Sequence, residues 1–317
     1  MCIRDRGWVT ARPPRAIEVV RRVVGFPRML FVHRDLVVTS VKRELRARFT
    51  GTVLYLAWPL VTPVLLFLVY YFIFTKLLAV KFGELPPEQK TAMGVFMFVG
   101  VLIWTAFGDG LIRCCSVIVD NGNLIKKLVF PAEVLPLNVV LVNLITMLFG
   151  VAVYLLAVTV TPVWYTPDPL ALCWIPLLLV LQALFTYGVG MILATLQVFL
   201  RDTIQMLTVA VTVWMFVTPI FWTPELIILP HLAEGKPLET STIYPYLGVI
   251  EANPMFHLVY AWREVLMRAE PASIFSESVL APSMGRSVAI FGVWSVVVFA
   301  IGYAFFILAQ RRFADEV

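Results

Sequence analysis

Charged residues are scarce in this sequence of 317 residues, at 14 % of the total against about a quarter in soluble domains. Cysteine is also scarce, and the four cysteines show neither a disulfide framework nor a CxxC or Cys/His metal spacing. The three histidines are scattered along the chain and do not form a ligand set. We therefore expect neither a disulfide scaffold nor a metal site.

Motifs that bind nucleotides or cleave bonds are missing as well. The sequence contains no GxxxxGK[ST] phosphate-binding loop, no GxSxG nucleophile motif and no HExxH zinc motif. No apolar window contains a pair of acids that could relay protons, and Asp109 and Arg113 are placed to pair on one helix face. We therefore expect no catalytic residue and no cofactor on this chain, so that any uphill transport draws its energy from another chain.

Long hydrophobic runs dominate the sequence instead, because 60 % of its residues are hydrophobic. Six long windows are free of Asp, Glu, Lys and Arg, and a helix needs about 20 apolar residues to cross the hydrocarbon core. The windows are 49–75, 91–108, 134–167, 169–200, 203–224 and 287–310. The sequence therefore predicts an all-α polytopic membrane protein with six transmembrane helices.

The distribution of positive charge predicts the orientation of these helices. Of the 25 Lys and Arg residues, twelve lie in residues 1–52, three in the 113–133 loop, and three at Arg201 and in the tail, 311–317. The other seven lie in the alternate connections, 76–90 and 223–287. Because cytoplasmic segments carry the excess of Lys and Arg, both termini are predicted to be cytoplasmic. The clustering also favours a membrane rather than nucleic acid as the partner of the net charge of +5.

A basic amphipathic segment precedes the first window. Its apolar residues recur at helical spacing and are Val37, Val38, Val41, Leu45 and Phe49. Arg43 and Arg46 fall on the opposite side. Such a helix is expected to lie in the cytoplasmic headgroup layer, either as a plain topogenic anchor or as a coupling element.

Two loops contain apolar segments that are too short to cross the membrane. In the 113–133 loop, residues 124–130 lie between an Asn-Gly turn signal and Pro131, and form either a plain connector or a surface that a partner covers. In the outer loop, 223–287, Asn253-Pro254 predicts a helix start, with the helix over Met255–Met267. The apolar stretches around Glu251 suit a re-entrant hairpin.

Aromatic residues cluster toward the outer ends of the first and fifth windows. The clusters are Tyr70, Tyr71, Phe72 and Phe74, and Trp214, Phe216, Phe221 and Trp222. Such residues form either an interfacial belt or a pore-lining surface on which sugar rings stack. Both interpretations stay open for each of these residues.

Several fragments, in their order along the chain, resemble type-2 ABC transporter permeases that export polysaccharides. They are Arg34-Asp35-Leu36, Arg48-Phe49-Thr50-Gly51-Thr52, Trp58-Pro59-Leu60, Asn121-Gly122-Asn123-Leu124-Ile125-Lys126-Lys127, Phe130-Pro131-Ala132-Glu133, Arg201-Asp202, Thr218-Pro219-Ile220, Asn253-Pro254 and Arg312-Phe313-Ala314-Asp315. O-antigen, capsule and teichoic-acid export permeases are the most similar in pattern. The fragments extend from residue 34 to the tail.

The resemblance implies partners and roles for particular residues. It implies a homodimer with two copies of an ABC ATPase subunit, which would hold ATP and Mg²⁺, and a continuous channel for a lipid-linked glycan. The implied ATPase-coupling residues are Asn121, Asn123, Leu124, Ile125, Lys126, Lys127, Phe130 and Pro131. The implied cytoplasmic gate contains Arg34, Asp35 and Arg48, and the implied outer gate contains Asn253, Pro254, Arg263 and Glu264.

The sequence is thus interpreted as the membrane subunit of a polysaccharide-exporting ABC transporter in a bacterial cytoplasmic membrane. Its expected organisation is a cytoplasmic segment, 1–52, a transmembrane domain, 53–310, and a cytoplasmic tail, 311–317. One alternative is a type-2 permease for a drug, haem or lipid, because the fold does not specify the cargo. A second alternative is a membrane-embedded glycan enzyme, for which Glu251, Arg263 and Glu264 are the available groups.

Overall fold

The structure is a computed structural model, and it describes part of the chain. The described residues are 16–49, 58–73, 87–126, 131–160, 167–222, 224, 228, 234–267 and 283–316. Within these ranges the secondary structure is helical, with short 3₁₀ segments and no strand. The prediction of an all-α fold is therefore confirmed.

The helices follow one another with short connections. In chain order they are α1 (Ala16–Val24), α2 (Phe26–Val32), α3 (Arg34–Phe49), α4 (Trp58–Phe72), α5 (Pro87–Asp120), α6 (Gly122–Lys126), α7 (Val134–Val160), α8 (Pro169–Leu172), α9 (Ile175–Phe199), α10 (Thr203–Val217), α11 (Leu247–Ala252), α12 (Pro254–Met267), α13 (Met284–Ala309) and α14 (Phe313–Glu316). The 3₁₀ segments are Leu238–Thr240, Tyr244–Tyr246 and Gln310–Arg312.

Four helical stretches are long and apolar enough to cross a membrane. They are Gly94–Asp120, Val134–Thr159, Pro169–Phe199 and Met284–Arg312. Each overlaps one of the charge-free windows, so the protein is a multi-pass membrane protein. Helix α10, in the fifth window, has 15 residues, fewer than the roughly 20 that a full crossing needs. Helix α4, in the first window, has 15 residues within the described range 58–73. The count of six spans and the orientation stay predictions.

The second span is longer than its charge-free window. Because α5 continues to Asp120, the first eight residues of the predicted loop 113–133 are helical, which corrects that boundary. Asp109 and Arg113 consequently lie within the span, and both side chains are exposed in the single chain. The predicted pairing of these two residues is wrong, since the ion pairs within 4.0 Å among the described residues lie elsewhere.

The core of the bundle is formed by α5, α7, α9 and α13. Helix α9 makes its most extensive contacts with α13 and α5, while α4 packs on α5 and α7, and α10 packs on α5. Gly188 of α9 and Gly302 of α13 lie where the two backbones meet. A Cβ added at Gly302 would collide with the backbone carbonyl of Gly188. Small residues are needed wherever two membrane helices approach this closely.

A pair of glycine variants on α13 tests this close contact. Gly302→Ala is expected to lower the free energy of unfolding by about 1–3 kcal/mol, because the two backbones must separate. Gly292→Ala is the matched control, since an added Cβ there would lie at ordinary distances of 3.8 and 3.9 Å from Leu181 methyl carbons. Thermal unfolding of the purified variants in detergent measures both effects, and equal unfolding temperatures would contradict the proposed contact.

The N-terminal helices pack against the end of the bundle that is predicted to face the cytoplasm. Helix α3 confirms the predicted helix over residues 34–49, and its Val37 and Val41 are buried. Val38, which the sequence places on the same apolar face, is exposed in the single chain. The contact of this face with the headgroup layer stays a prediction. Helices α1 and α2 had no counterpart among the sequence predictions.

Candidate gate and coupling regions

The outer loop contains a helical hairpin that bends at Asn253. Helix α11 ends just before this residue and α12 begins just after it, which confirms the predicted helix start at Pro254. The Asn253 Oδ1 atom accepts a hydrogen bond from the Met255 backbone N–H at 3.0 Å and from Trp214 Nε1 at 3.0 Å. Asn253 Nδ2 donates to Thr218 Oγ1 at 2.9 Å. One buried amide therefore caps α12 and joins it to the end of α10.

Arg263 joins the same hairpin to α5 and to the turn that follows α10. Its side chain is buried and donates three hydrogen bonds to backbone carbonyl oxygens: Nε to Phe96 at 3.2 Å, Nη1 to Pro219 at 2.7 Å and Nη2 to Ile220 at 2.9 Å. The guanidinium carbon lies 3.3 Å from the centroid of the Phe96 ring. A Cβ at Gly100 would collide with Arg263 Nη2, so the glycine leaves room for this group.

The turn that follows α10 explains why Arg263 is needed. Pro219 cannot continue a helix, and the Thr218-Pro219-Ile220 turn leaves carbonyl groups of a buried segment without helical partners. Unpaired buried carbonyls are costly, and the planar guanidinium supplies several donors in a fixed geometry. The hairpin therefore holds the end of α10 in two ways. Asn253 is hydrogen-bonded to Trp214 and Thr218, and Arg263 donates to the carbonyl oxygens of Pro219 and Ile220.

The remaining polar residues of the hairpin contact one another and the start of α13. Glu264 is half-buried and accepts a hydrogen bond from Tyr260 Oη at 3.2 Å. The buried His257 has its Nε2 atom 2.7 Å from the Glu251 carbonyl oxygen and its Nδ1 atom 3.4 Å from Ser287 Oγ. Burial lowers the pKa of His257, although the hydrogen bond to Glu251 acts in the opposite direction. The hairpin is thus tied to the start of α13 as well.

The aromatic residues singled out from the sequence occupy different environments. Trp214 is half-buried and lies edge-on to Trp104 and Phe107, with ring centroids 6.0 and 5.3 Å away. Phe216 is 59 % exposed, and its carbonyl oxygen accepts a hydrogen bond from Trp222 Nε1 at 3.0 Å. Phe221 is half-buried, with its ring centroid 5.8 Å from that of Phe216. Trp214 is therefore part of the internal packing, whereas Phe216 faces outward.

The first aromatic cluster is described only in part. Phe72 is 56 % exposed on α4. The side chains of Tyr70 and Tyr71, and all of Phe74, lie outside the described residues. Phe67, one turn before the cluster, is buried edge-on against Phe98 at 5.3 Å.

Among the residues assigned to a cytoplasmic gate, Arg48 faces inward. Its Nη2 atom donates to Asn143 Oδ1 at 3.1 Å, and its Nη1 atom donates to Thr146 Oγ1 at 3.4 Å. Burial lowers the pKa of Arg48, and the charge of Arg113 acts in the same direction, while Asp109 opposes both. An arginine stays charged nonetheless. Arg48 therefore brings a positive charge from α3 to α7, near the two separate charges of Asp109 and Arg113 on α5.

Arg34 and Asp35 lie at the opposite end of α3 and are not part of this cluster. Both side chains are exposed, and they form a loose contact of 3.9 Å from Arg34 Nε to Asp35 Oδ1. The Arg34 guanidinium carbon also lies 5.0 Å from the Phe31 ring centroid. The structure thus separates the three residues predicted for this gate into two places.

The segment predicted to couple to an ATPase begins with a short helix. Asn121 ends the preceding turn, with Nδ2 donating to the Val117 carbonyl at 2.8 Å and its own carbonyl accepting from the Leu124 N–H at 2.9 Å. In α6, Ile125 packs against the core, Leu124 is half-buried, and Asn123 and Lys126 are exposed. Lys127 and Phe130 lie outside the described residues, and Pro131 is half-buried. Helix α6 contacts α14 in the tail.

Sequence reasoning missed the partners that hold these residues. Phe96, Gly100 and Thr218 surround the hairpin, and Asn143 and Thr146 receive Arg48. Asn143 and Thr146 could have been found as polar residues within an apolar window, because a buried polar side chain in a membrane requires a partner. Backbone carbonyl partners leave no such signal.

Comparison with known proteins places these features in a family. The model of the ABC-2 type transporter family matches residues 35–234. The chain is similar to the O-antigen export system permease protein RfbA of Myxococcus xanthus, with 32 % identity over 203 residues, which are 63 % of this chain and 73 % of that protein. Two proteins of the same name from Klebsiella pneumoniae are 28 % and 27 % identical over 234 and 236 residues, in each case 74 % of this chain and 80 % of the relative.

The family match covers well over half of the chain and includes the first to fifth predicted spans and α6. This chain belongs to the ABC-2 type transporter family. It is a multi-pass membrane protein and a transport subunit rather than an enzyme.

Proposed function

We propose that this chain is the membrane-spanning permease subunit of an ABC exporter that moves a lipid-linked polysaccharide across the bacterial cytoplasmic membrane. The observation that carries this proposal is the similarity, over 63–74 % of the chain, to permeases named for O-antigen export in two organisms. The cargo is a glycan of the O-antigen, capsule or teichoic-acid kind.

The energy comes from a separate ABC ATPase present in two copies, on which ATP and Mg²⁺ are bound. The absence of a phosphate-binding loop from the sequence supports this division. Helix α6 offers a docking surface, because Asn123 and Lys126 are exposed and Leu124 is half-buried beside them. Helix α6 contacts α5 and α14, α14 contacts α9, and Ile125 packs against the core. Movements of a docked ATPase are therefore transmitted through α6 to α5 and α9.

Two copies of the chain enclose the passage. Asp109 and Arg113 are exposed on α5 although they lie within a span, and charged groups at that depth face a water-filled cavity or another protein surface. Helix α10 buries only Leu207 and Val211 fully and exposes most of its circumference. These surfaces support a homodimer with a polar passage beside α5 and α10.

The exposed side of α10 supplies a suitable lining for a glycan. Thr208 and Thr212 are exposed, and their hydroxyl groups donate to carbonyl oxygens one turn earlier, which leaves oxygen lone pairs to accept from sugar hydroxyls. Phe216 is exposed one turn further along the helix. An aromatic ring stacks on successive sugar rings without demanding one hydroxyl pattern, and such weak, repeated contacts suit a moving polymer.

The alternatives are less well supported. A drug, haem or lipid cargo fits the family but not the O-antigen export for which the relatives are named. A glycan-processing enzyme would need reactive groups in the outer loop. Arg263 is engaged by three carbonyl oxygens and Glu264 by Tyr260, so neither is presented to a substrate. Of the three groups named for this alternative, that leaves Glu251, which lies 3.8 Å from Arg286.

Complementation of a strain that lacks this chain tests both the function and the passage. The wild-type chain should restore surface glycan, while Phe216→Ala should reduce surface glycan at least threefold at normal protein abundance. Trp214→Ala is the comparison, because it removes the hydrogen bond to Asn253 and should lower the abundance of folded protein instead.

The outcomes separate the two parts of the proposal. Failure of the wild-type chain to restore surface glycan, at normal abundance and with its ATPase present, would overturn the function. Full export by Phe216→Ala at normal abundance would leave the function standing and remove Phe216 from the passage.

A further inference from the structure

A basic cavity of about 610 Å³ lies beside the end of the coupling segment, where Pro131 forms part of its lining. It opens between the N-terminal helices, the start of α7 and the last third of α13. Its polar lining consists mainly of Arg21, Arg22, Arg28, Glu18, Glu133 and Tyr303. None of these residues is used by the proposed transport path.

The helices that carry the arginines are held firmly in place. Phe26, at the start of α2, is buried, with its ring centroid 5.5 Å from Tyr187, 5.0 Å from Phe299 and 5.5 Å from Tyr303. Arg21 and Arg22 lie about one turn before this anchor, and Arg28 lies two residues after it. The three guanidinium groups are therefore displayed from a fixed backbone.

Positively charged residues outnumber negatively charged ones in the cavity. Three arginines meet two carboxylates, and His33 also lies in the lining. Among the described residues, the ion pairs within 4.0 Å are Arg34–Asp35, Lys236–Glu234 and Arg286–Glu251, none of them in this cavity. A guanidinium group offers a planar fork of donors that matches the oxygen atoms of a phosphate. The cavity is thus suited to a phosphate group.

The surroundings of the cavity favour a lipid over a soluble anion. Apolar residues on the same two helices are strongly exposed; they are Ile17 at 79 %, Val24 at 74 %, Phe31 at 69 % and Val32 at 65 %. Exposed apolar side chains beside basic ones are typical of a helix that lies in the headgroup layer. Basic pockets between an interfacial element and membrane helices bind acidic headgroups.

We propose that this cavity binds the phosphate headgroup of an anionic phospholipid from the leaflet that the N-terminal helices face. The phosphate contacts Arg21, Arg22 and Arg28, and the acyl chains pass along the exposed apolar residues of α1 and α2. The bound lipid occupies the space between these helices and the residues just before α7, where the coupling segment ends. The proposal does not rest on the identity of the transported cargo.

Native mass spectrometry of the purified full-length chain tests the site. The delipidated protein is incubated with equal amounts of phosphatidylglycerol and phosphatidylcholine. The wild type should retain phosphatidylglycerol at least tenfold over phosphatidylcholine, and Arg21→Gln with Arg22→Gln should reduce this preference at least fivefold. Lys42→Gln with Arg43→Gln, an adjacent exposed pair on α3, removes the same charge outside the cavity and should keep the preference.

Three results would overturn the proposal. They are equal retention of both lipids by the wild type, an unchanged preference in the Arg21 and Arg22 double variant, and displacement of the lipid by an equal concentration of inorganic phosphate. The last result would assign the cavity to a soluble anion. The wild-type comparison and the single variant Arg28→Gln decide the matter if the double variant does not fold.

Discussion

Replacement of Arg263 by methionine is expected to abolish export and to destabilise the protein by several kcal/mol. The substitution keeps an unbranched apolar stem but leaves the carbonyl oxygens of Phe96, Pro219 and Ile220 without their donor. Each buried group left unpaired costs about 1–3 kcal/mol. The end of α10 would then keep only its hydrogen bonds to Asn253, and the outer end of the passage would lose its shape.

Two further arginine variants make this prediction specific. Arg286→Met removes an exposed charge that lies 3.8 Å from Glu251, and should change stability by less than about 1 kcal/mol. Arg263→Lys keeps the charge but not the fork of donors, and should recover only part of the stability. Thermal unfolding and surface glycan are measured together for all three. Wild-type stability in Arg263→Met would show that the three hydrogen bonds do not support the hairpin.

The second large effect is expected at α6. Leu124→Asp should uncouple ATP hydrolysis from export, because a docked ATPase would bury the new carboxylate against an apolar surface. Burial of an unpaired charge costs several kcal/mol, enough to weaken the complex more than 100-fold. Co-purification of the ATPase and glycan export by the complex measure the two consequences.

The control for this variant is the same substitution at an exposed leucine. Leu200→Asp changes a residue that is 61 % exposed at the end of α9, on the predicted cytoplasmic side but outside α6. It should leave co-purification of the ATPase unchanged. If Leu124→Asp binds its ATPase and exports glycan as the wild type does, α6 is not the coupling element.

Hydropathy predicted the four long spans because the hydrocarbon core imposes a length and an apolar composition on any helix that crosses it. The same criterion failed at the inner end of α5. The charge-free window ends before Asp109, but the helix continues past Asp109 and Arg113 to Asp120. A window of this kind treats every charge as a boundary, whereas a charge can stay within a span when it faces water or another protein.

For the gate residues, too, contacts between sequence neighbours could be predicted and contacts between distant residues could not. Asn253 could be assigned as a helix cap because its pattern is local, and the structure bears this out. The contacts of Arg263 could not be predicted, since its partners are carbonyl groups of residues far away in the sequence. In the sequence, Trp214 and Phe216 are both aromatic residues near the end of a predicted span. Only the packing shows that Trp214 is half-buried against Trp104 and that Phe216 is exposed.

The central claim is that this chain forms, with a separate ATPase, the passage for a lipid-linked polysaccharide. The most direct test is transport by the purified complex in proteoliposomes loaded with the lipid-linked glycan, with lectin accessibility measuring its arrival on the far side. The proposed function predicts arrival that requires ATP and both subunits. Glycan that stays inaccessible while the complex hydrolyses ATP and moves another lipid or a drug would contradict it.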